Sequence, residues 1–192
     1  AVVNLATDGL PTDETGRSNE RLTSELKDKI RSLQRLPVWI VVRLCTDESS
    51  VVAFYNDLDS ILELPLEVID DYIGEGDEIH QANKWLNYTL PLHRCREMGY
   101  QHRIFDLLDE RLLNKDELRE FLTLLFGEAA LRNAPDVHSN WKGFSAAVAH
   151  IVKNEGKEWN SQTKKLSPWI DMKELNRQYG KRRGLFGLGR KK

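Results

Sequence analysis

The sequence predicts an α/β fold: part of a doubly wound, Rossmann-like parallel sheet, followed by a mostly α-helical extension. Three observations carry this. A short apolar run, Ala1-Val2-Val3-Asn4-Leu5-Ala6, stops at Thr7-Asp8-Gly9. Apolar residues then recur every three or four positions from Leu22 to Leu36. Finally, Val38-Trp39-Ile40-Val41-Val42-Arg43-Leu44-Cys45 is a nearly continuous β-branched and aromatic run. Such a run is the pattern of a parallel strand buried on both faces. Strand, helix and strand in this order make a βαβ unit, which is right-handed.

The first strand ends in a loop at Thr7-Asp8-Gly9 and Leu10-Pro11-Thr12-Asp13. Ser18 or Asn19 can cap the helix that follows, with Glu20 in its first turn and Leu22, Leu26, Ile30, Leu33 and Leu36 on one face. Pro37 ends it. After the second strand, Thr46-Asp47-Glu48-Ser49-Ser50 can cap a short helix carrying Val51, Val52, Phe54, Tyr55 and Leu58. A third, weaker strand is expected at Leu64-Pro65-Leu66-Glu67-Val68-Ile69, where the proline suggests a sheet edge.

The character changes near residue 80. Asn83 to Gly99 reads as a polar and aromatic connection, followed by helical pieces at about 101–110 and 115–126. The second of these has Asn114 as cap, Glu117 three residues on and Gly127 as terminator. A further helix spans about 140–154 with Trp141, Phe144, Val148, Ile151 and Val152 on one face, and a short one lies near 171–179. The expected division is therefore 1–80 α/β, 81–156 helical, and 157–192 a loosely ordered basic tail.

Charge is strongly polarised along the chain. Residues 44–83 hold eleven acids and no Lys or Arg, whereas the last twenty residues hold eight basic groups against one acid, Glu174. The acids suit solvated helix faces. The tail's Lys181, Arg182, Arg183, Arg190, Lys191 and Lys192 are candidate partner-binding residues, expected to meet an acidic partner in a salt-sensitive contact. No apolar run approaches the roughly 18 residues of a membrane-spanning helix, and Ala1 to Asp8 lacks the regions of a signal peptide. Only Cys45 and Cys95 are present, so reduced thiols and a cytoplasmic location are expected. The chain starts without Met, inside a strand-like run, which suggests a truncated chain.

In an open parallel sheet, ligands bind beyond the carboxyl ends of the strands, where neighbouring loops converge. That edge would collect Thr7-Asp8-Gly9 and Thr46-Asp47-Glu48. Hard oxygen donors there suit Mg²⁺ or Mn²⁺; the alternative is that Asp8 and Asp47 cap the following turns.

Residues 1 to about 75, with Thr7-Asp8-Gly9, the Pro11-Thr12-Asp13 loop, the helix and then Pro37 to Val42, resemble the second half of a von Willebrand factor A (vWA) domain. The resemblance implies a doubly wound sheet flanked by helices, with a metal-ion-dependent adhesion site on its carboxyl edge. It implies a protein-binding module in which Mg²⁺ or Mn²⁺ accepts a carboxylate from a partner protein. Of the family's ligands, an Asp-x-Ser-x-Ser loop, a Thr and the Asp of a Thr-Asp-Gly turn, only the last has a counterpart here. Asp8 alone carries over as a metal ligand. A metal-free scaffold or assembly subunit using the helical region and the tail is the alternative.

Other chemistry finds little support. His93-Arg94-Cys95 with His102 fits no standard zinc spacing. Asp57-Leu58-Asp59-Ser60-Ile61 lacks the glycine of a calcium loop, and no phosphate-binding glycine motif occurs. No nucleophile–base or acid pair can be placed at the sheet edge, so neither an enzyme nor a nucleic-acid binder is expected.

Overall fold

A computed structural model describes residues 1–61 and 66–180 of the chain. In order, the elements are β1 (Val2–Thr7), α1 (Glu20–Ser32), β2 (Trp39–Leu44), α2 (Ser49–Ile61), β3 (Leu66–Ile69), α3 (Tyr72–Ala82), α4 (Leu90–Glu97), α5 (Arg103–Glu110), α6 (Lys115–Phe126), α7 (Glu128–Leu131), α8 (Trp141–Asn154), β4 (Glu158–Asn160), β5 (Lys165–Ser167) and α9 (Met172–Tyr179). A three-stranded parallel sheet alternating with helices thus precedes a mostly helical region. Among the described residues, no helix is long and apolar enough to cross a membrane.

The chain forms two compact units, and the border differs from the expected one at residue 80. Unit 1 comprises Ala1–Glu78 with Tyr88–Arg103; unit 2 comprises Ile79–Asn87 with the chain from Ile104 onward. The stretch read as a connection contains α4, which belongs to unit 1.

In unit 1 the strand order is β1-β2-β3, with Val2 opposite Trp39 and Ile40 opposite Leu66. Successive side chains alternate between the two faces of the sheet. On one face, Ile40, Val42 and Leu44 share a core with Ile30 of α1 and Val51, Tyr55 and Leu58 of α2. Asn19 caps α1, its side chain accepting from the Leu22 N–H at 3.1 Å. The opposite face carries Asn4, Arg43 and Glu67, and all three reach α4. The Asn4 amide donates to the Glu97 carbonyl (2.5 Å), the Arg43 guanidinium pairs with the Glu97 carboxylate (2.5 Å), and Glu67 accepts from Arg96 Nε (2.9 Å). Arg96 also pairs with Glu75 of α3, and Arg96, Glu75 and Glu97 are all buried. Helix α4 therefore meets the sheet through ion pairs. Gly99, at φ +79°, ends the segment where a Cβ would lie 2.7 Å from a Val2 methyl, so only glycine suits the position.

In unit 2, Trp85, Phe121 and Phe144 are fully buried with Leu108, Leu113, Leu118 and Leu122. Trp85 packs edge-on against Phe121 and Tyr179, with ring centroids 5.9 and 6.4 Å away. Asn114 and Glu117 form the expected capping box, and Gly127 terminates α6 at φ +87°. Leu86 and Ile170 form an antiparallel bridge flanked by Asn87 N–H to the Trp169 carbonyl (2.9 Å) and Asp171 N–H to the Trp85 carbonyl (2.8 Å). The segment from 157 was expected to be loosely ordered. Its described part, to residue 180, holds the antiparallel β4–β5 hairpin, which was not expected, and the expected short helix as α9, whose cap Asp171 accepts from the N–H groups of Lys173 (2.9 Å) and Glu174 (3.1 Å). Tyr179 anchors the end of α9 by donating to the Leu113 carbonyl at 2.7 Å.

Candidate functional site

The carboxyl ends of β1, β2 and β3 deliver Thr7-Asp8-Gly9, Cys45-Thr46-Asp47 and Asp70-Asp71 to one edge of the sheet. The first turn is held from two sides. The Thr7 hydroxyl donates to the Gly9 carbonyl at 2.9 Å, and the hydroxyl of the buried Tyr55, on α2, donates to the same oxygen at 3.2 Å. Beyond it, Asp13 closes its own loop by accepting from Thr15 N–H (2.8 Å), Thr15 Oγ1 (2.7 Å) and Arg17 N–H (3.0 Å). These bonds to the ionised form hold the Asp13 carboxyl below its usual range. Asp8 stands between the two anchored points, and it is exposed. Among the described residues, no hydrogen bond or ion pair engages its carboxylate.

The other acids at this edge divide by role. Asp71 is the cap of α3, accepting from the Ile73 and Gly74 N–H groups at 2.6 and 2.9 Å. Glu48 accepts from the Ser50 hydroxyl at 2.7 Å, and Thr46 accepts from the Glu48 N–H at 3.2 Å, so this segment opens α2 as its sequence implied. Asp70 is different. Burial raises its carboxyl above the usual range, and the charges of Asp71 and Asp47 push it the same way. Gly74 makes room for it, since a Cβ there would lie 2.5 Å from Asp70 Oδ2. Asp70 was not singled out in the sequence. The signal was available, because it is the first residue after β3 and the same strand-end rule that selects Asp8 selects it.

Asp8 has the chemistry of one hard-cation ligand: an anionic oxygen, accessible, on a turn that is already locked. One ligand is not a site. Among the described residues, no three His, Cys, Asp or Glu side chains come together to hold an ion. These residues therefore do not complete a Mg²⁺ or Mn²⁺ site, and no metal-dependent step follows from them.

No family model, curated protein or solved structure matches the chain. What can be said of function thus stands on the geometry of its own residues.

The weak His93, Cys95 and His102 constellation separates. His93 is buried and Cys95 is exposed, although both lie on α4. Around His93, the Tyr88 hydroxyl lies 3.3 Å from Nδ1 and the Glu97 carboxylate 3.4 Å from Nε2. Burial lowers the imidazole's proton affinity; Glu97 opposes this, and Arg96, Arg94 and Arg43 reinforce it. Glu97 already pairs with Arg43 and Arg94, each at 2.5 Å. Burial thus disfavours the charged imidazole, and the buried His93 belongs to the packing of α4. The proposed tail contacts Lys181, Arg182, Arg183, Arg190, Lys191 and Lys192 lie outside the described residues.

Proposed function

We propose that the chain is part of a protein-binding module of von Willebrand factor A type, and that its carboxyl sheet edge is the binding edge. The observation that carries this reading is Asp8, an unengaged carboxylate on a turn clamped by Thr7 and Tyr55 directly beyond a parallel strand. Ligand sites of open parallel sheets lie at that edge. In this reading the sheet is one half of a doubly wound fold, and the partner is another protein. Asp8 supplies one oxygen to Mg²⁺ or Mn²⁺. The family's remaining ligands, an Asp-x-Ser-x-Ser loop and a Thr, have no counterpart in the 192 residues, so within this sequence Asp8 alone matches the family's site.

A metal-free assembly subunit is the second reading. It is favoured by β1, an outermost strand whose Val2 and Val3 are 47% and 40% exposed, because an open apolar strand edge is a surface for association.

Calorimetric titration of Mg²⁺ into the protein as its own cell makes it, beside its Asp8→Ala form, separates the two readings. Loss of an anionic ligand from a shared hard-cation site is expected to weaken affinity by about tenfold or more. Equal affinity in both forms removes Asp8 from the site, and no binding in either supports the metal-free subunit.

A further inference from the structure

Unit 2 contains a cleft of about 1130 Å³ whose floor is the Leu86–Ile170 bridge. Its walls are the C-terminal end of α8, the turn of the β4–β5 hairpin and the first turns of α9. The volume slightly exceeds the roughly 300–1,000 Å³ of a small-molecule pocket and suits a stretch of chain. Apolar surface from Ala149, Val152, Pro168 and Met172 lies beside polar groups of Asn160 and Thr163.

Charge decides what the cleft takes. Of the acids along it, Asp171 is committed to capping α9 and Glu174 pairs with Arg177 at 2.5 Å. The ammonium groups of Lys84, Lys153, Lys157 and Lys173 are exposed, and among the described residues nothing engages them. Against these four cations stands one unengaged carboxylate, Glu155. The cleft thus carries a positive field over an apolar floor.

We propose that this cleft binds an acidic peptide segment of a partner protein, with apolar side chains on the floor and Asp or Glu side chains against the four lysines. A continuous phosphate backbone fits less well, because the unengaged carboxylate of Glu155 interrupts the basic rim and repels it, whereas a peptide can turn a backbone N–H toward Glu155 and place its acids against the lysines. The cleft is lined by residues of unit 2 alone, and the proposal does not depend on any metal.

Panning a library of random dodecapeptides against the whole chain tests the proposal. The enriched peptides are expected to interleave Asp or Glu with Leu, Ile or Phe. They should lose about tenfold or more in affinity for the Lys84→Glu, Lys157→Glu double variant, and weaken as salt rises from about 0.05 to about 0.3 M, where screening shortens the reach of the lysines. Both lysines are exposed, and an unchanged circular dichroism spectrum for the variant checks that its fold persists. Three results overturn the proposal: no enrichment; enriched peptides lacking acids or binding the variant equally well; or single-stranded DNA binding the cleft more tightly than the best peptide.

Discussion

Replacing Arg96 with methionine is expected to destabilise unit 1 by about 3–5 kcal/mol, the cost of removing one partner from a buried ion pair. Arg96 is buried between Glu67 of β3 and Glu75 of α3. Burial by itself would lower the affinity of its guanidinium for the proton. The carboxylates of Glu75 and Glu67 more than reverse this, and the Arg96 pKa lies above its usual value, so the cation persists at every accessible pH. Methionine has similar reach but no charge, and it leaves Glu75 in the interior without its guanidinium. The folded-state pKa of Glu75 then rises above its unfolded value of about 4.3. A carboxyl so raised favours the fold below the unfolded value and withdraws that support as pH climbs through the folded one. The deficit should therefore be smaller near about pH 5 than near about pH 8. Amide exchange of Ile40 to Leu44 on β2 reads unit 1 by itself. A loss below about 1 kcal/mol, equal at both pH values, would show that the ion pairs do not hold α4 to the sheet.

The second large effect is expected in unit 2 at Asn83. This fully buried side chain makes four bonds: its amide N–H groups donate to the carbonyls of Leu108 (2.7 Å) and Arg111 (2.8 Å), and its oxygen accepts from the Leu113 N–H (3.2 Å) and the Trp85 indole (3.1 Å). Asn83→Ala strands two carbonyls and two N–H donors. Each unsatisfied buried group costs about 1–3 kcal/mol. Water entering the gap recovers part of this, so the expected loss is about 3–5 kcal/mol. Asn83→Asp should be no milder, since it turns a carboxylate oxygen toward carbonyls that need donors. Amide exchange of Leu118 to Leu122 on α6 measures both. A well-tolerated Asp would mean that the side chain's shape matters more than its donors.

The elements that could be read from the sequence are those built on apolar periodicity. β1, α1 and β2 follow from Val2 to Ala6, the Leu22–Leu36 face and Val38 to Leu44. The capping box of Asn114 and Glu117 marked α6, and Asp171 to Tyr179 marked α9. Helix α4 could not be read in this way. Its Pro91 looks like a breaker but stands in the first turn, where a missing N–H costs nothing. Its buried residues include Arg96 and Glu97, which patterning assigns to the surface, and their partners Glu67 and Arg43 are distant in sequence. Helix α3 was hidden by Gly74 and Gly76 and by its acids. The three-residue strands of the hairpin are too short to show alternation. At the sheet edge, Asp8 was legible because it follows a strand. The clamp from Tyr55 was not, because it is a tertiary contact spanning 46 positions.

The most direct test of the vWA-type reading is paramagnetic broadening of amide signals by Mn²⁺, added to the protein as its own cell makes it. The account predicts that the amides of Thr7, Asp8 and Gly9 broaden first and that Asp8→Ala removes the effect. Broadening centred on the acidic helices, at Asp57, Asp77 or Glu78, with Thr7 to Gly9 left sharp, would contradict it.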